Sequence, residues 1–196
     1  MPRREPTRSR RPPGRDPRRT ILVVVGADRT EVAYLKGLRN ALKAATVALT
    51  ITAKPGAPDQ LVAYARDNCS REDFDEVWCV TDVDHYEREG GKVTAAVAMA
   101  AKAGINLAVS NPCFELWLLL HHDGCSGYCA NCEVVAKKLK ATLATYDKTN
   151  LRYRDFADQR DVAVERARTL DPTGKDHGRN PSTNVWSLVE AILEQS

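Results

Sequence analysis

Two aspartates, Asp82 and Asp84, carry the strongest chemical signal in the sequence. They close the segment EVWCVTDVD (76–84), which is typical of a buried strand that ends in D-x-D. Because alternate side chains of a strand share a face, this spacing predicts that both carboxylates point toward one rim of a sheet. Such oxygen ligands suit Mg²⁺ or Mn²⁺, which take one or two carboxylates together with a substrate phosphate. The alternative is a polar turn in which Asp84 caps the next segment of the chain.

Three further acidic residues lie where other strands are expected to end. Glu31 stands near the start of the first predicted helix, where it either completes a metal site or complements the helix dipole. Asp28 is open to the same two interpretations. Glu115 lies inside the apolar run CFELWLLLHH (113–122), as an inward-facing member of a site or as a surface residue of an amphipathic helix.

A second metal site is predicted in the loop HHDGCSGYCANC (121–132). His121 or His122, together with Cys125, Cys129 and Cys132, would supply one imidazole and three thiolates. That set matches a closed structural Zn²⁺ site, and C-x₂-C is its usual knuckle. The alternative is three thiols that stay reduced in a cytosolic loop.

The elements that must position these residues alternate along the chain. Continuous β-branched runs indicate strands, and apolar residues at helical spacing indicate helices between them. This βαβαβαβ order predicts an α/β fold with a doubly wound, mostly parallel sheet of about four strands and helices on both faces, followed by a helical C-terminal part. The predicted strands are ILVVV (21–25), VALTITA (47–53), EVWCVTDVD (76–84) and INLAVS (105–110).

Helix starts are predicted from capping residues. Asp59 is expected to cap the second helix, and Asn111 with Pro112 should supply a cap and an N1 proline for the helix that contains Glu115. Ser182 or Thr183 is expected to cap the last helix.

The first 19 residues differ from the rest in composition. They hold eight arginines and five prolines against two acidic residues, in a chain whose formal net charge is +3. Such a segment cannot bury enough apolar surface to order itself, so we predict a disordered basic arm at 1–19 and one domain at 20–196. The arm either binds phosphate groups of a nucleic acid through its arginines or is a solubilising tail without a specific partner. No run is long enough to cross a membrane and no signal core is visible, so a cytoplasmic protein is expected.

Taken together, several segments resemble the RloB family. They are ILVVVGADRTEVAYLKGLR, DEVWCVTDVDHY, SNPCFELWLLLHH and NPSTNVWSLVE, which occur in the expected order and span nearly all of 20–194. The RloB family is similar to TOPRIM domains, which occur also in topoisomerases, primases and overcoming-lysogeny-type nucleases. Its members are found beside restriction-modification genes and in abortive-infection loci with an ATPase partner.

The resemblance implies a Mg²⁺-dependent nuclease that cleaves DNA or RNA as an effector of bacterial antiphage defence. Glu31, Asp82, Asp84 and Glu115 match the family pattern as catalytic residues, with Glu31, Asp82 and Asp84 as metal ligands.

One departure from the pattern bears on catalysis. Motifs of this kind usually begin with Glu-Gly after the first strand, where this chain has Gly26 and Ala27. The absent carboxylate leaves a second hypothesis open, namely a catalytically degenerate TOPRIM-like module that binds nucleic acid or regulates a partner ATPase.

Overall fold

The computed structural model describes residues 19–42, 47–69, 73–84, 86 and 90–194. Five strands and seven α-helices succeed one another along this part of the chain, with two short 3₁₀ turns before α6. The strands are β1 (Arg19–Val25), β2 (Val47–Ala53), β3 (Glu76–Asp82), β4 (Asn106–Asn111) and β5 (Ser182–Thr183). The helices are α1 (Thr30–Ala41), α2 (Pro58–Asn68), α3 (Lys92–Ala103), α4 (Glu115–His122), α5 (Cys132–Thr142), α6 (Arg160–Leu170) and α7 (Val185–Leu193).

The strands form one sheet in the order β2-β1-β3-β4-β5. Strands β1 to β4 run parallel, and β5 pairs antiparallel with β4. The predicted α/β class and doubly wound, mostly parallel sheet are confirmed, and the architecture is consistent with a TOPRIM-like fold. The strand order reverses between β1 and β3, and ligands of open parallel sheets collect beyond the carboxyl ends of the strands at such a reversal.

Both faces of the sheet are covered, which explains why the first strand is apolar without alternation. Ile21, Val23 and Val25 are fully buried in a large core that also contains residues of α1, α4, α5, α6 and α7. Leu22 and Val24 face the opposite way, into a smaller core built with α2 and α3. The face on which a strand residue lies therefore decides which helices it meets.

The helix starts predicted at Asn111 and at Ser182 or Thr183 are wrong. Asn111 is the last residue of β4 and pairs with Ser182 of β5, a strand that the sequence did not predict. Asn184 stabilises the edge of the sheet at β4, because its side chain accepts a hydrogen bond from the Val109 N–H. It also donates to the Leu107 carbonyl at 2.9 Å. Helix α4 consequently begins at Glu115 itself.

The predicted cap at Asp59 is also wrong. Helix α2 begins at Pro58, with Ala57 as the N-cap two residues before the predicted one and no side-chain capping bond. Proline at the first helical position has the backbone angle that a helix requires and lacks only an N–H that would be unpaired there.

The boundary of the basic arm moves by one residue. Arg19 is the first residue of β1 and pairs with Val47 of β2. Its guanidinium contacts Glu76 and donates a hydrogen bond to the Ala191 carbonyl at 3.0 Å. The other residues of the predicted arm, 1–18, lie outside the described residues. Within the described ranges, the helices are all too short or too polar to span a membrane.

Gly37 allows α1 to approach the turn at Tyr153. A Cβ atom at this position would overlap the Cβ and Cγ atoms of the Tyr153 side chain. We therefore expect Gly37→Ala to lower the free energy of unfolding by about 1–3 kcal/mol, although alanine is the better helix former. Urea unfolding would measure the change. Gly124→Ala is the matched control, because no atom of the described residues, other than those of Gly124 and its two chain neighbours, lies within 4 Å of a Cβ atom built there. Equal stability of the two variants would contradict this account.

Candidate metal centre

Three carboxylates come together beyond the carboxyl ends of β1, β3 and β4. Glu31 lies in the first turn of α1, Asp82 is the last residue of β3, and Glu115 is the first residue of α4. Asp82 shares a face of β3 with Trp78 and Val80, which pack in the large core beside α1 and α4. Strand alternation therefore turns Asp82 toward the helices that carry the two glutamates.

Glu31 is only 7% exposed. Burial, followed by the negative charges of Glu115 and Asp28, raises the pKa of its carboxyl from 4.5 to about 7. Hydrogen bonding to its own backbone and the charge of Lys148 act in the opposite direction. Glu31 can therefore gain or lose a proton near neutral pH.

Among the described residues, Asp82 has an unsatisfied carboxylate oxygen and a raised pKa. Its Oδ1 atom is sealed from solvent and has no hydrogen-bond partner within the part of the chain that the structure describes. Burial raises the pKa of Asp82 well above its ordinary value, and the charges of Glu31 and Glu115 raise it further. A sealed carboxylate oxygen without a donor is costly unless a proton or a cation satisfies it.

Glu115 is 3% exposed and has two described partners. Lys148 Nζ lies 2.7 Å from Glu115 Oε1. The Tyr146 hydroxyl donates to the same oxygen at 3.5 Å. The side chain of Lys148 is 61% exposed, so a positive charge stands at the border between the carboxylates and solvent.

Two thiols adjoin Glu115. The ligand atoms of Cys113, Cys132 and Glu115 all lie within 4.8 Å of one another. Cys113 is fully buried in the segment between β4 and α4, and Cys132 is the half-buried first residue of α5. A hydrogen bond with Cys132 raises the pKa of Cys113, as do burial and the charges of Asp82 and Glu115.

The two aspartates of the D-x-D motif separate. Asp84 lies beyond the end of β3, has a φ of 35°, and its N–H donates to the Pro112 carbonyl at 2.9 Å. It is exposed and helps to line a neighbouring cavity of about 600 Å³. Asp84 still raises the pKa of Asp82, as the smallest of the contributing charges. Strand β3 ends at Asp82, so the strand alternation that was expected to align the two carboxylates stops before Asp84.

That cavity is lined by apolar side chains from the segment after β3 and from α3, and by polar groups of the C-terminal loop. Its polar lining includes Asn111, Lys175, His177 and Asn180. The cavity therefore extends from Asp84 to the segment just before β5.

The glycine that replaces the expected first-strand glutamate faces the other side of the sheet. A Cβ atom at Gly26 would lie 3.3 Å from the Val80 carbonyl, 3.5 Å from Leu61 and 3.6 Å from the Thr81 hydroxyl. Leu61 belongs to the small core on the α2 side, whereas Asp82 faces the large core. A side chain at position 26 would thus start on the opposite face from Asp82. Asp28 is exposed, and its Oδ1 lies 3.9 Å from Arg29 Nε.

The structure does not bring the four residues of the predicted zinc site together. The carbonyl of Trp117 can only accept, so His121 Nδ1 donates to it at 2.9 Å and Nε2 accepts from the Tyr34 hydroxyl at 3.1 Å. Both ring nitrogens are engaged in the core, and burial lowers the pKa of His121 to about 4. Cys132 lies with Cys113 and Glu115, away from the rest of the predicted set.

The other two loop cysteines form a pair of their own. Cys125 Sγ and Cys129 Sγ are 3.4 Å apart. Lys138 Nζ lies 3.6 Å from the first and 3.7 Å from the second. Burial raises the pKa of Cys125 to about 11, which favours the neutral thiol.

Sequence reasoning missed three residues of the centre, Cys113, Tyr146 and Lys148, and assigned Cys132 to a different metal site. The spacing of Cys113 and Glu115, two residues apart just after a strand, was a signal that could have been used. Tyr146 and Lys148 lie in a polar loop after α5, and no local pattern indicates that this loop folds back over α4.

Comparison with known proteins supports the resemblance inferred from the motifs. No curated protein and no solved structure matches the chain. The model of the RloB-like protein family matches residues 21–192, which contain every carboxylate described above. Since this match covers most of the chain, the protein belongs to the RloB-like family.

Proposed function

We propose that this protein hydrolyses phosphodiester bonds of DNA or RNA with the help of Mg²⁺ or Mn²⁺ held at Glu31, Asp82 and Glu115. The observation that carries the proposal is the convergence of two buried glutamates and the half-buried Asp82 at the reversal point of the sheet. The Oδ1 atom of Asp82 is sealed from solvent and unpartnered among the described residues. Carboxylate oxygens are the ligands that such cations prefer, and the repulsion among the three charges is relieved when a cation binds.

Carboxylate oxygens suit such a cation chemically, and Asp84 at the rim would supply a further oxygen ligand. A bound divalent cation would polarise the scissile phosphate and lower the pKa of an attacking water. The pKa of Glu31 is raised to about 7 in the metal-free protein, so binding of the cation would displace a proton from Glu31 near neutral pH. Lys148 lies 2.7 Å from Glu115 at the border with solvent and is placed to contact a phosphate oxygen.

Nucleic acid is the proposed substrate class because the cavity beside Asp84 is lined by Lys175 and His177, and because the basic arm precedes β1. We further propose that the chain acts as an effector of antiphage defence together with an ATPase. This part of the proposal is supported by membership of the RloB-like family and by the gene neighbourhoods that the family resemblance implies.

The direct test is a cleavage assay. The purified protein would be incubated with plasmid DNA and with tRNA, in Mg²⁺ or Mn²⁺, alone and with a candidate partner ATPase. Asp82→Asn and Glu115→Gln are expected to abolish cleavage, whereas Asp67→Asn should leave it unchanged, because Asp67 pairs with Arg66 on the exposed side of α2. Absence of cleavage by the unaltered protein under all these conditions would refute the proposal.

Gly26 favours a second candidate, a binding or regulatory module that has lost its first carboxylate. Gly26→Glu tests whether a restored carboxylate adds activity, with Gly26→Ala as the control for crowding against the Val80 carbonyl at 3.3 Å. Because a side chain at position 26 starts toward Leu61 and Thr81, we expect no gain of cleavage from Gly26→Glu. A gain of cleavage in Gly26→Glu alone would identify a degenerate enzyme.

The basic arm makes a prediction about salt. Removing residues 1–18 keeps Arg19 in β1, and we expect it to leave the melting temperature unchanged while weakening nucleic-acid binding mainly at low salt. A salt titration of binding by the full and shortened chains would measure this. Equal affinities throughout the titration would show that the arm is only a tail.

A further inference from the structure

The thiols beside the carboxylate centre are unusual for a site that holds only Mg²⁺. Cys113 lies in the β4–α4 connection, and Cys132 is the first residue of α5. Both side chains lie beside Glu115. All three ligand atoms lie within 4.8 Å of one another. Thiolates select softer metals such as Zn²⁺, whereas Mg²⁺ takes oxygen ligands almost alone.

Asp82, the last residue of β3, belongs to the same centre, and its Oδ1 atom is sealed from solvent and unpartnered among the described residues. Two sulfurs, one carboxylate and a nearby second carboxylate satisfy the usual requirement of a zinc centre, namely three protein ligands and a fourth position for water or a further group.

We propose that Cys113, Cys132 and Glu115 bind a thiophilic divalent cation of the Zn²⁺ class. This site shares Glu115 with the proposed Mg²⁺ centre, but its existence does not depend on phosphodiester cleavage. Metal binding converts the two thiols to thiolates and releases their protons to solvent, with no oxidation or reduction.

Lys148 does not prevent occupation of the site. Its ammonium group contacts Glu115 Oε1 at 2.7 Å. The side chain is long and 61% exposed, so it can withdraw into water when a cation binds.

The pair Cys125 and Cys129 offers an internal control. Their sulfurs are 3.4 Å apart, but their charged partner is Lys138, which cannot ligate a metal while it is protonated. A double variant, Cys125→Ser with Cys129→Ser, removes as many thiols as Cys113→Ser with Cys132→Ser and leaves the proposed site intact.

The experiment is a titration of the reduced full-length protein with Co²⁺, a spectroscopic substitute for Zn²⁺. We expect one Co²⁺ ion to bind per chain and to give thiolate-to-cobalt absorption in the near ultraviolet. Zn²⁺ should displace the Co²⁺ ion and abolish this absorption, whereas excess Mg²⁺ should not. Cys132→Ser should lose this absorption, because serine is tolerated at the start of a helix and circular dichroism would confirm that the variant is folded. The double variant at Cys125 and Cys129 should retain it.

Two results would overturn the inference. One is the absence of thiolate-to-cobalt absorption in the unaltered protein. The other is absorption that survives in Cys132→Ser or disappears in the double variant at Cys125 and Cys129, since it would assign the metal to other residues. The readout contains no nucleic acid, so failure of this inference and failure of the proposed nuclease activity are distinguishable.

Discussion

Replacing Asp82 by Asn is expected to stabilise the protein in the absence of divalent cations and to abolish its thermal response to Mg²⁺ or Mn²⁺. Asp82 lies with Glu31 and Glu115, and burial and like charges raise its pKa well above the ordinary value. Removing its ionisable carboxyl removes both the cost of burying the charge and the repulsion.

Thermal melts with and without each cation would measure this effect. A ligand that binds only the folded state at 100 times its Kd adds about 2.7 kcal/mol, which corresponds to roughly 5–10 °C in a protein of this size. We expect an increase of this order for the unaltered protein and for Asp67→Asn, and none for Asp82→Asn.

The alternative interpretation predicts the opposite pattern. If Glu31 and Asp84 are only helix and turn acids, Glu31→Gln or Asp84→Asn would cost between a few tenths and about 1 kcal/mol and leave any metal response intact. Indifference of the unaltered protein to both cations would argue against the metal centre altogether.

Between about pH 5 and pH 8, without divalent cations, the free energy of unfolding is expected to decrease. The pKa of Glu31 is raised from 4.5 to about 7 in the folded protein. The folded state therefore holds a proton that the unfolded state has already lost, and this contribution is fully present below 4.5 and lost as the pH rises through 7. For Glu31 the decrease amounts to roughly 3 kcal/mol, and Asp82 acts in the same direction.

Urea unfolding at the two pH values would measure this loss. Glu31→Gln should flatten the pH dependence because it removes the titrating group, and Mg²⁺ should flatten it because the cation stabilises the ionised form. Asp67→Asn is the surface control and should keep the full slope. A slope that is unchanged in Glu31→Gln would exclude this carboxyl as its source.

Much of the architecture can be predicted from local sequence because local rules govern it. The β-branched run at 21–25 has apolar side chains on both faces, which is compatible only with a strand covered on both sides. The helix starts failed for a non-local reason. Asn111 and Ser182 are good capping residues, but they pair with each other across 71 positions of sequence, and that pairing draws both into the sheet.

The sequence by itself determined that carboxylates lie just after three strands of a parallel sheet, and parallel connections place such ends on one edge. It could not determine which residues share a site, because side-chain direction beyond a strand depends on where the chain leaves the sheet. Asp84 turns to the cavity at a φ of 35°, while Asp82 keeps the alternation of β3.

Only the tertiary structure separates His121 from the cysteines and brings Cys113, Cys132 and Lys148 to Glu115. The physical reason is that packing of α4 and α5 over the large core fixes these distances, and contacts between distant segments leave no periodicity in the sequence.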